Sequence, residues 1–407
     1  MIEKFNSKEF LMDSFSIEED GDKNLVQLLT SISNRTKFQT VEPSSIKIIS
    51  LTRIPTEDED EMQVAILNPA YADARIFEVR KDSYFAPEKG NFGSLPFKTL
   101  LSQGVSYEAI NDIVDAGYFL QIADEYGTVT TLIPSKGFMA TFCKQLGFNK
   151  IREGIDPMRD LFLASRLALA DPFKLVYRRQ GKFAKVFAAF SDKFCDTPQT
   201  IVLEFKDSLM RNFESASVRH WEYNHSITSI DFSLNKEKFK LGNMQIIPGI
   251  RLSLSDIGDC AYTLQSVFFC NGTHIILPNE VVRKRSRKMN VAEMTQDFAD
   301  ICLPQMRVLR KEMEKSMNSN VANVGAECVK LLSNVDFASA AGQSQSRTIF
   351  EFLETEYDYP GSGADVAIAL LRLPGKMKVN NVASCLQRAS ITIGSVFSTK
   401  EWKKLCV

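Results

Sequence analysis

The sequence has few of the features that identify a catalytic site. It contains only three histidines in 407 residues, and His220 and His225 are not spaced as in the HExxH motif of zinc peptidases. His274 stands alone, and the chain has no GxSxG motif to supply a nucleophilic serine. We therefore expect no catalytic residue, no metal site and no cofactor.

The chain also lacks a strong net charge, a long apolar run and a secretory signal. Its formal net charge of −1 means that any attraction to nucleic acid or to an acidic membrane must be local. No apolar run is long enough to span a bilayer, and the N-terminus lacks the basic-then-apolar pattern of a signal peptide. We expect a cytoplasmic protein that does not bind membranes.

The eight cysteines do not form the CxxC pairs that are typical of metal sites and redox motifs. They are scattered from Cys143 to Cys406. In a chain of this length without a secretory signal, buried reduced thiols are more typical than a disulfide framework. We expect free thiols.

Composition and patterning indicate the fold class. Hydrophobic residues make up 44% of the chain and charged residues 24%, as in ordinary globular proteins. We predict an α+β fold, with helices packed on a mainly antiparallel sheet region between about Ile46 and Pro278 and a helical region after it. The predicted division is a peripheral N-terminal arm over residues 1–45, an α+β core domain over 46–290 and a C-terminal helical region over 291–407.

Turn and capping residues predict where several elements begin and end. Gly117 is placed to end a helix over residues 107–115 in a left-handed turn. Asp156 followed by Pro157 predicts a helix start, because Asp caps free N–H groups and proline needs no N–H partner at the first helical position.

Runs of β-branched and aromatic residues predict strands in the middle of the chain. We predict strands over residues 173–177, 183–190, 200–205, 250–254 and 262–270. The segment RRQGK at 178–182 separates the first two strands. It therefore predicts a basic hairpin tip.

Two runs in this region, IRLSLSDIG at 250–258 and FFCNG at 268–272, are similar to the signature of the prokaryotic phage/plasmid-like proteins, a domain-of-unknown-function family. The upstream run FAAFSDKF at 187–194 is similar to another segment of that family. The resemblance implies a protein carried by phages, plasmids or integrated elements. It implies no activity, because the family has none established.

The segment that carries the resemblance has two interpretations. Ser255 and Asp256 can bond to the local backbone, and Asn271 begins an Asn-Gly pair that favours a tight turn, so all three are typical turn residues. Alternatively, their side chains converge at adjacent strand ends and form a pocket for a polar ligand.

Two basic segments indicate the kind of partner. Lysine and arginine side chains placed on phosphates release counterions and give affinity without sequence preference. The residues expected to contact phosphates are Arg178, Arg179, Lys182, Arg283, Lys284, Arg285, Arg287 and Lys288. Tyr177 or Phe183 is expected to stack on bases. The alternative is that the basic run is a solvated surface segment, or is paired with acids such as those of TEDEDE at 56–61.

We therefore predict a phage- or plasmid-associated protein that binds nucleic acid, for example single-stranded DNA, with little sequence preference. The alternative is a mobile-element protein that binds a host protein, for example to counter a defence system. For both, the expected location is the cytoplasm of a bacterial host cell, and homo-oligomers are compatible with the sequence. No motif supports an enzyme, and a third alternative, an enzyme acting on a ligand near Ser255, Asp256 and Asn271, depends on the pocket interpretation.

Overall fold

A computed structural model describes residues 15–54, 61–67, 77–80, 107–123, 126, 128–149, 151, 154–180, 183–224, 227–257, 262–270, 272–283, 290–376 and 383–406. These ranges contain two sheets and a series of helices, most of them in the C-terminal part. The predicted α+β class with a C-terminal helical region is confirmed.

The strands supply both sheets. In chain order they are β1 (Ser16–Asp20), β2 (Thr36–Val41), β3 (Ile46–Ile54), β4 (Glu61–Leu67), β5 (Phe77–Arg80), β6 (Tyr118–Ala123), β7 (Val129–Pro134), β8 (Phe173–Gln180), β9 (Phe183–Ser191), β10 (Ala216–Asn224), β11 (Thr228–Leu234), β12 (Phe239–Leu241), β13 (Met244–Leu254), β14 (Tyr262–Cys270) and β15 (Thr273–Arg283).

Each sheet combines strands that are distant in sequence. Sheet I has the order β1-β10-β11-β13-β14-β15, with β12 paired to β13 beside this path. Sheet II has the order β2-β8-β9-β7-β6-β3-β4-β5. Neighbouring strands are antiparallel except β7 and β9, which are parallel. The mainly antiparallel character follows the prediction.

The helices connect the strands and then form the C-terminal region. They are α1 (Leu25–Arg35), α2 (Tyr107–Ala116), α3 (Phe138–Gln145), α4 (Pro157–Leu167), α5 (Ile201–Asn212), α6 (Val291–Asp297), α7 (Leu303–Lys315), α8 (Val324–Ser333), α9 (Phe337–Ala341), α10 (Gln343–Glu356), α11 (Gly363–Arg372), α12 (Ala383–Val396) and α13 (Lys400–Lys404).

The segment interpreted as a peripheral arm is packed into the molecule over its described residues. β1 pairs with β10 in sheet I, and β2 pairs with β8 in sheet II. Between them, α1 places Leu25, Leu28, Leu29 and Ile32 at 0% exposure in the main hydrophobic core. This segment therefore belongs to both sheets, while the division of the chain into domains stays a prediction.

Local capping chemistry sets the predicted boundaries. Asp156 accepts a hydrogen bond from the Arg159 backbone N–H at 3.1 Å, and Pro157 is the first residue of α4. Gly117 follows α2 with φ +80°, and a Cβ there would lie 2.2 Å from the carbonyl oxygen of Gly154. Glycine is therefore required at this position for both its conformation and its lack of a side chain.

The strand predicted over residues 200–205 is wrong, because these residues begin α5. Val202, Phe205 and Leu209 are all 0% exposed and recur with the spacing of one helix face. Short apolar runs give similar signals for strands and helices. The continuation of the same face to Leu209 is the signal that identifies the helix.

Candidate functional site

Arg178 begins the basic hairpin segment, and its guanidinium is inside the molecule. Its Nη2 donates to both carboxylate oxygens of Asp256, at 2.8 and 3.0 Å, and both side chains are 0% exposed. Thr36 completes the cluster, because its hydroxyl donates to Asp256 at 3.0 Å and accepts from Arg178 Nε at 3.3 Å. Arg178 lies in β8 of sheet II and Asp256 follows β13 of sheet I, so this ion pair joins the two sheets.

Two aromatic rings surround the same guanidinium. Its carbon lies 4.6 Å from the ring centroid of Phe187 and 5.8 Å from that of Tyr223. Burial raises the pKa of the Tyr223 hydroxyl, so this ring stays neutral. The predicted contact of Arg178 with phosphate is therefore replaced by an internal pair, since a fully buried guanidinium cannot reach a nucleic acid on the surface.

Arg179, the next residue, is exposed. Its guanidinium carbon lies 5.7 Å from the ring centroid of Tyr177, and its Nη2 donates to the Tyr177 hydroxyl at 3.5 Å. Tyr177 is only 1% exposed, and burial raises the pKa of its hydroxyl. The Tyr177 ring therefore packs against Arg179 and is not available to stack on bases. Lys182 and the side chain of Phe183 lie outside the described residues.

Lys37 is a cation that the sequence did not single out. It is exposed, and its partner in the β2–β8 register is Tyr177. Directly opposite residues of paired strands share one face, so Lys37 and Arg179 lie on the same side of sheet II around Tyr177. Local composition gave no signal for this pairing, because 140 positions separate Lys37 from Tyr177.

The second basic segment begins close to the first. Arg283 is the last residue of β15 and pairs with Tyr262, the first residue of β14. The loop between Leu254 and Tyr262 contains Asp256, the partner of Arg178. Since neighbouring strands are about 5 Å apart, Leu254 at the end of β13 lies about 10 Å across the sheet from Arg283. The two basic segments therefore start on either side of one loop.

We use the term basic end for this part of the molecule, defined by Lys37, Arg179 and Arg283. The remaining cations of the second segment, Lys284, Arg285, Arg287 and Lys288, lie outside the described residues, as does the side chain of Arg283.

The β13–β14 hairpin does not form a polar ligand pocket at Ser255 and Asp256. Ser255 and Asp256 are buried just after β13, and both oxygens of Asp256 are already bonded to Arg178. Asn271 lies outside the described residues, but its neighbour Cys270 ends β14 at the opposite end from Tyr262. A strand of this length spans about 27 Å, so the two turns lie at opposite ends of β14.

His220 and His274 lie on one face of sheet I. His220 of β10 is 29% exposed and lies beside Glu18 of β1 and Glu222 of β10. His274 of β15 contacts the Phe269 ring, with 6.3 Å between ring centroids. His225 lies outside the described residues. The neighbours of His220 come from the first strand, which spacing within the RHWEYNHS run does not reveal.

A pocket of about 170 Å³ lies beside α2 and the β7–α3 connection. Asp112, Asp115 and Lys136 contribute its charged groups. Asp112 accepts a hydrogen bond from the buried Lys185 ammonium at 2.5 Å, and burial raises the pKa of Asp115 against the opposing effect of Lys136. Ala116, Tyr118, Pro134 and Met139 also line the pocket, and no histidine or cysteine is among the described residues that line it.

Comparisons of the chain with protein-family models, with curated proteins and with solved structures found no match. Among the helices of the described ranges, none has the length and apolar character needed to cross a membrane. Function is therefore inferred from the geometry of the described residues and from the sequence resemblance.

Proposed function

We propose that this protein is a phage- or plasmid-associated protein that binds nucleic acid, with single-stranded DNA as the most concrete ligand, and with little sequence preference. The association with mobile elements derives from the sequence resemblance alone. Under this proposal the protein acts in the cytoplasm of a bacterial host cell, where such DNA is replicated, and homo-oligomers along the strand are compatible with it.

The observation that supports binding is that both basic segments begin at the basic end. The Arg178–Asp256 pair fixes β8 against the β13–β14 loop, and Arg283 ends the strand beside that loop. Arg179 and Lys37 are exposed on the face of sheet II opposite to Arg178, near the start of the first segment. Cations that lie near one another act together on a polyanion, and a flexible single strand can contact both faces of one end of the molecule.

A site that binds mainly phosphates is expected to have little sequence specificity. Arginine and lysine contacts to the backbone fix the position of a strand but do not read its sequence. The burial of Tyr177 removes one stacking platform, so most of the affinity is expected to come from charge. Binding should therefore depend strongly on salt and weakly on base composition.

The test is the salt dependence of binding to a labelled single-stranded oligonucleotide. For single strands, the slope of log K against log salt becomes shallower by about 0.7 for each phosphate that the protein no longer neutralises. A variant with Arg179, Arg283, Arg285 and Arg287 all replaced by Ala should therefore bind more weakly at low salt. Its slope should be smaller by as much as about 3, if each arginine neutralises one phosphate.

A matched control removes four cations from the helical region, namely Arg347, Lys330, Lys403 and Lys404. All four are exposed, so the replacements remove the same charge without affecting the core. This control should retain the wild-type slope. The proposal fails if the wild type does not bind at low salt, or if the two variants change the slope equally.

A second candidate function, binding of a host protein, is favoured by exposed apolar side chains on α4. Met158, Leu161 and Leu169, on α4 and the turn after it, are 73%, 65% and 79% exposed. The buried side of α4 carries Leu163 and Leu167 as well as Arg159 and Asp160. Large exposed apolar groups on one side of a helix are typical of protein interfaces. Capture of a host protein that survives nuclease treatment and is abolished when these three residues become Ser would favour this function over nucleic-acid binding.

A further inference from the structure

The outer edge of sheet I carries a cluster of side chains with the chemistry of a metal site. In the β1–β10 pairing, Glu18 is opposite Glu222 and Asp20 is opposite His220. Opposite residues share a face, and residues two apart on one strand share it as well. Three carboxylates and one imidazole therefore project from the same side of the sheet edge.

The distances within this cluster are close to those of a metal site. One ligand atom from each of Glu18, His220 and Glu222 lies within 4.8 Å of the others. Zinc binds nitrogen and oxygen ligands at about 2.0–2.2 Å, which places ligand atoms about 3–3.5 Å apart. The Glu18 side chain is 75% exposed, so it can rotate inward by the required distance without displacing core residues.

Asp20 holds the imidazole in the orientation that a metal ligand needs. Its carboxylate lies 2.9 Å from His220 Nδ1, while His220 Nε2 lies 4.0 Å from the Glu18 carboxylate. When Nδ1–H donates to Asp20, Nε2 presents its lone pair to the two glutamates. Histidine ligands in metal sites typically donate their second N–H to a carboxylate in this way.

The neighbouring acid does not take part. Asp231 is opposite His220 on the other side of β10, but its two oxygens accept from Arg251 at 2.7 and 2.8 Å. Glu18 and Glu222 are like charges directly opposite each other, a pairing that destabilises a sheet, and the nearby Arg251 offsets part of the Glu222 charge. A divalent cation would relieve this repulsion.

We propose that Glu18, His220 and Glu222 bind a divalent transition-metal ion of the Zn²⁺ or Mn²⁺ class, with Asp20 orienting the histidine. Mixed imidazole and carboxylate ligands select these ions over Mg²⁺, which prefers oxygen ligands and retains its water. The ion would link the edge strand β1 to β10. Metal binding here is independent of nucleic-acid binding, because it uses none of the basic residues.

The experiment is titration of the purified full chain with ZnCl₂ and with MnCl₂ at neutral pH, measured by calorimetry and by equilibrium dialysis. Wild type should bind one ion per chain at this site. Glu18→Gln, His220→Gln and Glu222→Gln should each weaken that binding at least about 10-fold, and Asp20→Asn about 10-fold or more. Bound Co²⁺ should give an absorption spectrum of nitrogen and oxygen ligands that is absent in His220→Gln.

Glu214→Gln is the matched control, since Glu214 is also an exposed glutamate and its partner is Lys236. It should bind the ion like wild type. The proposal is overturned if wild type does not bind, or if the site variants bind as Glu214→Gln does, because the ion is then held elsewhere. If a β10 variant fails to fold, Glu18→Gln, which changes the most exposed glutamate of the cluster, decides the result.

Discussion

At the scale of single residues, burial sets the charge of His274. Burial, with a smaller effect of the nearby Arg251 in the same direction, lowers the pKa of its imidazole from 6.5 to about 4, while Asp231 opposes the shift. The folded protein therefore keeps this histidine neutral at neutral pH. In the unfolded chain the same side chain is expected to titrate near its ordinary value.

This difference predicts a loss of stability in mild acid. Between pH 6.5 and about 4 the unfolded chain binds a proton that the folded chain does not, so the free energy of unfolding falls as the pH falls through this window. The expected loss from His274 alone is about 2 kcal/mol at pH 5 and about 3 kcal/mol below pH 4.

Urea denaturation of wild type and His274→Gln at pH 7 and pH 5 measures this effect. Other titrating groups are common to both proteins and cancel in the comparison. The variant should lose less stability between the two pH values. An equal loss in both proteins would show that His274 does not contribute.

Sequence predicted the residue-scale features that depend on near neighbours. Asp156 and Pro157 were identified as a helix start because capping involves only the next few residues. Arg178 looked like a surface cation because its partner, Asp256, is 78 positions away. Glu18 and His220 were likewise not connected, because strand pairing over 200 positions leaves no local pattern.

At the scale of elements, α12 covers the β15 edge of sheet I. The Ser390 hydroxyl accepts from the Ile276 N–H at 3.2 Å and donates to the His274 carbonyl at 3.0 Å. One turn later, a Cβ on Gly394 would lie 2.0 Å from the Ile276 carbonyl oxygen, so only glycine permits this approach. Free backbone groups on an edge strand invite pairing with other chains, and this helix blocks them.

Ser390→Ala should therefore destabilise the protein. The variant leaves a buried N–H and a partly buried carbonyl of β15 without these hydrogen bonds, which costs about 1–3 kcal/mol. The measurement is the free energy of unfolding in urea. Ser395→Ala is the control on the same helix, because the Ser395 hydroxyl donates to the Thr392 carbonyl within α12. A destabilisation by Ser390→Ala no larger than that of the control would contradict the prediction.

The elements themselves were largely predictable. The helix before Gly117 and the strands of the β13–β14 hairpin follow from glycine conformation and from β-branched and aromatic runs. The helix that begins at residues 200–205 was not predictable from those residues alone, because their apolar spacing is ambiguous over six positions. The continuation of the same helix face to Leu209 distinguishes the helix from a strand.

At the scale of the whole molecule, the Arg178–Asp256 pair is a charged link between the sheets. Two charges at 0% exposure are tolerated because each satisfies the other and Thr36 completes the hydrogen bonding. Such pairs contribute little to the free energy of unfolding compared with an apolar replacement of both residues. The removal of one partner, however, leaves an uncompensated buried charge.

We expect Asp256→Asn to destabilise the protein by about 3–5 kcal/mol. The double variant Arg178→Met/Asp256→Leu should recover most of that stability, because it removes both charges. Arg347→Gln, which removes an exposed pair with Glu351, should change stability by less than about 1 kcal/mol. Urea denaturation measures all three, and a double variant as unstable as Asp256→Asn would show that the uncompensated charge is not the cause.

The pairing of β1 with β10 also determines when sheet I can form during synthesis. Ser16 pairs with Asn224, so β1 cannot pair with β10 until about 200 further residues have been translated. At about 5–20 residues per second, this delay is about 10–40 s. The nascent chain must keep Ile17 and the apolar face of α1 from aggregating during that time, and the edge that carries Glu18 is completed late.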